Sequence, residues 1–240
     1  FPRQLEFYKA IYSDYIYDQN DIVHFQEGKD GIVALYENEG KLTNYIGGLP
    51  HGGKPGYGYY YEIIETYSYT KSLDEVLVIG FGAGSFVDAL LQLDDIPNIT
   101  LVELNKTLLE NLSKVPDLRR ILNHPKVKVI IDDGRRFLYQ NKIEFDLITM
   151  DPLRTTTAYS NNLYSKDFFD LAKLNMSNDG LLMLWAHEHQ VLPYTVAQTF
   201  DHVLKYPIFV IASPSELSQN STKVNDFLSK FDTDFQAVLM

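Results

Sequence analysis

Cysteine is absent from the 240 residues. Within this chain that removes disulfide scaffolds, thiolate zinc sites and cysteine nucleophiles. Positive charge is in short supply: 21 Lys and Arg stand against 32 Asp and Glu, for a formal net charge of -11. A field of that sign disfavours nucleic acid and anionic lipid as general partners and attracts cationic small molecules. Long apolar runs are lacking too. No stretch is long enough to span a bilayer, and no signal-peptide pattern is present. The sequence starts at Phe1 rather than Met, which fits an excised domain or a processed product. Internal repeats and low-complexity tracts are also missing. The hydrophobic content of 45% supports one sizeable core, in a large domain alone or with a small appendage.

The first twenty residues are rich in Tyr and lack Gly. They read as a short helix that packs on something outside itself. From Ile22 to about Ile46, β-rich runs are separated by "GKDG" and "NEG", which is turn chemistry. This reads as a small antiparallel sheet. "PHGGKPGYG" reads as a Gly/Pro loop and a boundary, and "YYYEIIETYSY" as a helix with aromatic faces.

From Glu75 the grammar changes. "EVLVIG", "NITLVEL", "KVKVII", "FDLITM", "GLLMLWA" and "IFVIA" read as strands. Between them, "SFVDALLQL", "KTLLENLSKV", "GRRFLYQ", "SKDFFDLAKL" and "YTVAQTFDHVL" read as helices. The alternation predicts an α/β fold with a doubly wound, mostly parallel sheet, whose near-continuous apolar strands are covered on both faces. The expected division is a small-sheet domain over residues 1–56 and a Rossmann-like domain over 57–240.

Ligands in such a sheet sit beyond the carboxyl ends of the strands. The first strand ends in the turn "GFGAGS", with Gly80, Gly82 and Gly84 at alternate positions. Ser85 stands where the third glycine of a pyrophosphate fingerprint would fall, so this turn alone is weak evidence. Its glycines let a ligand approach the backbone and lead into helix N–H groups; tight strand–helix packing is the alternative. The second strand ends in Glu103, about twenty residues on, where an acid takes ribose hydroxyls. The third offers Asp132 and Asp133 before Gly134, where a carboxylate can accept from an adenine amino group; capping by Asp133 is the alternative. The fourth ends at Asp151-Pro152. Four consecutive strand ends with this chemistry describe an adenosine pocket with a carboxylate near its reactive end.

The arrangement resembles the S-adenosylmethionine-type Rossmann fold. The order "GKLTNYIGGLPHGG", "YYYEIIE", "VLVIGFGAGS", "VEL", "DDGRRFL", "FDLITMDP" and "NLYSKDFFDLAK" further resembles the spermidine synthase family. "NLYSKDFF…LLMLW" is similar to spermidine-synthase-like domains fused to membrane segments in bacteria. The resemblance implies transfer of an aminopropyl group from decarboxylated S-adenosylmethionine to an amine. It implies Glu103 on the ribose, Asp133 on the adenine amino group with Asp132 also on the nucleoside, and Asp151 as the base. His51, Tyr60, Arg154 and Tyr164 are implied on the substrate side. It implies no metal, a small-molecule amine as partner and a cytoplasmic setting. A homodimer and attachment to membrane segments outside this chain both stay open.

Two departures bear on the substrate. The acid that the family carries in its glycine turn is replaced by Ala83, and Arg154 falls near the place of a second acid. The alternatives are therefore an S-adenosylmethionine-dependent methyltransferase or aminocarboxypropyl transferase, and a non-catalytic nucleoside-binding domain. "WAHEHQ" sets His187, Glu188 and His189 side by side, without the i, i+4 geometry of a zinc site. Arg135 and Arg136 read as solvated or paired, and Trp185 as core or pocket wall.

Overall fold

The computed structural model describes residues 2–11, 22–54, 56–150, 160–186 and 190–231. Asp151, Arg154 and the His187–Glu188–His189 run lie outside the described residues.

Helix α1 (Pro2–Ile11) precedes a four-stranded antiparallel sheet of β1 (Ile22–Gly28), β2 (Gly31–Asn38), β3 (Lys41–Ile46) and β4 (Leu49–Lys54). Helix α1 packs on a surface outside itself, the small sheet of this chain: Tyr8 is buried with Ala34 and Tyr36, its ring edge-on to Phe25 at 5.2 Å. The segment read as a Gly/Pro loop forms β4. Its Gly53 permits the pairing, because a Cβ there would sit 2.6 Å from the Leu42 carbonyl oxygen. The β3–β4 register shifts between Thr43 and Tyr45, and the intervening Asn44 is fully buried.

Helix α2 (Tyr57–Tyr69) leads into the larger sheet. Along it run β5 (Glu75–Ile79), α3 (Ser85–Leu90), β6 (Asn98–Glu103), α4 (Lys106–Leu112) and α5 (Pro116–Leu122). Then follow β7 (Val127–Ile131), α6 (Gly134–Gln140), β8 (Phe145–Met150), α7 (Lys166–Leu174) and β9 (Met176–Trp185). The chain continues with α8 (Leu192–Val196), β10 (His202–Lys205), β11 (Phe209–Ser213) and α9 (Ser221–Leu228). The strand order is β10-β11-β9-β8-β5-β6-β7, parallel from β9 to β7, with β11 and β10 antiparallel at one end.

Alternate residues feed two cores. Val76, Val78, Ile99 and Leu101 enter one; Leu77, Ile79, Val102 and Ile148 enter the other. Side-chain caps start the helices. The Asn105 side chain accepts from Leu108 N–H, Asp133 from Arg136 N–H, and Ser165 from Phe168 N–H. The last three residues of "YTVAQTFDHVL" belong to strand β10, not helix, because His202, Val203 and Leu204 pair with Ser213, Ala212 and Ile211 on the sheet edge. The connection from β5 runs to one side, onto β6, while β8 lies on its other side. That divergence opens a crevice at the carboxyl ends of these strands.

Candidate active site

A cavity of about 720 Å³ fills this crevice. Its floor is the end of β5 and the glycine turn, through Ile79, Gly80 and Gly82. The turn is shaped by two packing constraints. Gly84 has φ +78, and a Cβ on it would lie 2.7 Å from Phe81 Cζ. Gly134 lets α6 approach β5, since its Cβ would meet Ile79 Cγ2 at 2.6 Å. Gly80, Gly82 and Gly134 line the cavity, whereas Gly84 serves the turn behind it.

Glu103 ends β6 and is 7% exposed. Its Oε2 accepts from Phe81 N–H at 2.8 Å, and its Oε1 from Asn105 N–H at 2.7 Å. Burial pushes its carboxyl above the usual range, while the N–H groups of Asn105, Phe81 and Leu104 pull the other way. The carboxylate thus clamps the glycine turn to the start of α4 and faces the cavity. Leu104, exposed at 62%, and Leu108 add an apolar wall suited to an aromatic base.

Asp132 and Asp133 also line the cavity. Asp133 caps α6 through Oδ1, which accepts from Arg136 N–H at 2.8 Å. Asp132 accepts from Asp133 N–H at 2.6 Å and pairs with Arg136. Arg135 turns away, donating to the Asn162 carbonyl at 3.1 Å.

The small sheet closes the other side. His51 lines the cavity, and its carbonyl accepts from Asn44 Nδ2 at 3.3 Å. The same amide donates to the Gly82 carbonyl at 3.2 Å, tying the small sheet to the glycine turn. Asp30, in the β1–β2 turn, lines the cavity too. Its Oδ2 is buried with no hydrogen-bond partner among the described residues, so it is an acceptor awaiting a donor.

Two expected substrate-side residues lie elsewhere. Tyr60 points its hydroxyl at Asp88 Oδ2, 3.2 Å away, and packs edge-on to Phe231. The tyrosine on the cavity wall is Tyr59, one residue earlier; a helix turns about 100° per residue, so both cannot face the same way. Tyr164 packs against the hydrophobic core around α7, and its neighbour Leu163 reaches the cavity. Reasoning from sequence missed Tyr59, Asp30, Leu104 and Asn105 as cavity residues. Asp30 was visible only as turn chemistry, because nothing in "GKDG" says which strand ends the turn will face.

Among the described residues lining the cavity, Asp30, Glu103, Asp132 and Asp133 are carboxylates, and none is Lys or Arg. Such a cavity favours a cationic ligand with hydroxyl and amino donors. The described residues hold no group of three or more acidic or His side chains arranged for a metal ion. No described helix is long and apolar enough to cross a membrane.

The family model for the spermine/spermidine synthase domain matches residues 60–216, well over half of the chain. A polyamine aminopropyltransferase of Oceanobacillus iheyensis is 25% identical over 174 residues, covering 70% of this chain and 34% of the relative. One from Thermoanaerobacter sp. is 25% identical over 149 residues, covering 60% of this chain and 52% of the relative. The chain thus matches between a third and about half of these relatives' length. Among solved structures, a spermidine synthase in complex with the transition-state analogue AdoDATO superposes with a TM-score of 0.77 at 16% identity. The match covers 91% of this chain and 84% of that one. The spermidine synthase of Thermotoga maritima gives a TM-score of 0.75, also at 16% identity. These likenesses establish the fold: a Rossmann-like methyltransferase-type sheet with a small N-terminal antiparallel sheet.

Proposed function

The chain belongs to the spermine/spermidine synthase family, and from that premise we propose that it transfers an aminopropyl group from decarboxylated S-adenosylmethionine to an amine. The observation that carries this reading is the charge of the cavity: four carboxylates and no Lys or Arg among its described lining residues. The sulfonium nucleoside is cationic and carries an ammonium in both forms; the decarboxylated form lacks the carboxylate of the intact one. An acid-lined cavity attracts that doubly charged form more strongly than the intact one, whose carboxylate it repels. This weighs against the methyltransferase and aminocarboxypropyl readings, although Ala83 leaves the glycine turn without an acid of its own.

In this reading, Glu103 and Asp30 accept from the ribose hydroxyls. Asp133 keeps its cap on α6 and accepts from the adenine amino group, with Asp132 holding Arg136 aside. Leu104 and Leu108 cover the base. Residues 1–56 form the domain that closes over a catalytic domain of residues 57–240. Asp151, which follows the last residue of β8 in the sequence, takes the proton from the acceptor ammonium, because only the neutral amine has a lone pair to attack. That lone pair forms the new carbon–nitrogen bond as the carbon–sulfur bond breaks and its electrons neutralise the sulfonium. Methylthioadenosine leaves. The residues' main contribution is positioning, which can supply effective molarities of roughly 10⁵ M or more. The setting proposed is cytoplasmic.

Calorimetric titration with methylthioadenosine, followed by mass spectrometry of products from decarboxylated S-adenosylmethionine and an amine panel, tests the reading. Asp151→Asn should keep nucleoside affinity within a few-fold and lower turnover about 10²-fold or more. Turnover near wild type would remove Asp151 from the chemistry.

A further inference from the structure

A second space adjoins the nucleoside cavity. It is an open groove of about 530 Å³ between the small sheet and the start of α2. Tyr59 and Trp185 wall both spaces, so the groove lies directly across two aromatic side chains from the cavity. The Tyr59 hydroxyl and the glycine turn both flank β4: a Cβ at Gly52 would lie 3.4 Å from that oxygen and from Ala83 N. The groove and the cavity therefore adjoin through Tyr59 and Trp185, beside the glycine turn.

The two spaces carry opposite charge. Among its described lining residues the groove carries Lys41, Lys54 and a single carboxylate, Glu62, which is 2% exposed. Lys54 Nζ lies 2.9 Å from Asp88 Oδ2, but Asp88 also pairs with Arg120 at 3.1 Å. Among the described residues that line the groove, two cations (Lys41, Lys54) face one carboxylate (Glu62). A linear diamine brings two ammonium groups, and at least one of them would stand against this excess of positive charge. A molecule with an amine at one end and a carboxylate at the other matches both signs. Its amine points toward Glu62 and the aromatic wall, where a cation is favoured. Its carboxylate takes the lysines.

We infer that the acceptor of this enzyme is a zwitterionic amine, one that carries a carboxylate, and that it docks in the groove bounded by Lys41, Glu62, Tyr59 and Trp185. The inference rests on the proposed aminopropyl transfer and specifies its acceptor. Gly58 provides a way to close the groove. It lies in the first turn of α2, lines the groove, and a Cβ there would meet no atom within 4 Å. A larger side chain enters the groove without disturbing the fold.

The test uses protein saturated with methylthioadenosine and titrates two probes of equal length, 1,4-diaminobutane and 4-aminobutyrate. The aminocarboxylate should bind about fivefold or more tightly than the diamine, as expected for one or two partly screened ion pairs. Lys41→Glu, at the exposed start of β3, should reverse that preference. Gly58→Leu should weaken both probes while leaving methylthioadenosine affinity unchanged. Equal or tighter binding of the diamine to the wild type overturns the inference, as does a preference that survives Lys41→Glu, or failure of both probes to bind. In each of those cases, retained nucleoside binding leaves the proposed function standing. Failure of methylthioadenosine itself to bind overturns both.

Discussion

Glu103 is held between two opposing effects, and their difference is measurable. Burial favours the protonated carboxyl and raises its pKa from an ordinary value near 4.5; the N–H groups of Asn105, Phe81 and Leu104 favour the carboxylate but do not overcome burial. The folded protein therefore binds this proton more tightly than the unfolded chain. The associated stability is fully present below about pH 4.5 and is lost as pH rises through the raised folded value. Glu103→Gln cannot ionise. It carries a fixed cost of about 1–2 kcal/mol, because one acceptor oxygen becomes an amide facing an N–H. Urea midpoints of the two proteins between pH 4.5 and 8 should converge as pH rises, since only the wild type loses this contribution. Parallel curves would show that Glu103 does not titrate in that window. Saturating methylthioadenosine should flatten the wild-type slope, because hydroxyl donors to the carboxylate lower its pKa. The residue's place at a strand end was legible in the sequence, because the run "NITLVE" and its distance from the glycine turn are local properties. Its bonds to Phe81 and Asn105 were not, since they depend on how two strand ends sit side by side. The choice between Tyr59 and Tyr60 likewise depends on the rotation of α2, and three consecutive tyrosines give that rotation no apolar stripe to read.

At the scale of elements, helix α6 and strand β5 meet through a glycine with no room to spare. Gly134→Ala would set a methyl 2.6 Å from Ile79 Cγ2 and 3.2 Å from its Cδ1. Neither atom can swing clear, because Ile79 is β-branched and buried in a filled core. The helix start must move, and such overpacking costs about 1–3 kcal/mol. Asp133 and Gly134 line the cavity, so nucleoside affinity should fall along with stability. Ile79→Ala removes the obstructing atoms and alone should cost about 2–4 kcal/mol as a cavity. The double variant should be more stable than the sum of the single effects, by at least about 1 kcal/mol of coupling. Additive effects in a thermal or urea cycle would show that the close contact is relieved some other way. The parallel strands around this contact were legible, since each is an apolar run ending in Gly, Asp or Glu. Three elements were not. Strand β4 carries Pro50, Gly52 and Gly53, which is loop composition, and it exists because β3 offers it an edge. Helix α5 begins with Pro116 at its first turn, a start signal in a segment left unassigned after the helix read as "KTLLENLSKV". Strand β10 follows a helix-like pattern and is set by its pairing with β11.

The whole molecule is two sheets with a ligand space between them, and its integrity at that space depends on a few polar ties. Asn44 joins β3 to the carbonyls of His51 and Gly82. Gln26 of β1 reaches Glu110 and Lys114 on and beyond α4. Asp88 on α3 takes three side-chain partners: Lys54 of β4 at 2.9 Å, Arg120 of α5 at 3.1 Å and the Tyr60 hydroxyl of α2 at 3.2 Å. One carboxylate thus gathers four elements, including the helix that follows the glycine turn. The Asp88 and Lys54 side chains are only 12% and 20% exposed, so solvent cannot fully replace a lost partner. Asp88→Ala should therefore cost about 2–4 kcal/mol, more than a surface ion pair, because it leaves Lys54 partly buried and unpaired by this carboxylate. The neutral variant Lys54→Met should cost less than Asp88→Ala, since Asp88 keeps Arg120 and the Tyr60 hydroxyl. Adding Lys54→Met to Asp88→Ala should recover part of the loss by removing the stranded charge. Hydrogen exchange distinguishes a tie between sheets from a general loss of stability. In Asp88→Ala, amides of β3 and β4 should lose protection before those of β5 and β6, whose pairing does not depend on this carboxylate. Uniform loss of protection across both sheets would mean that Asp88 supports the larger core rather than the closure of the small sheet over the site.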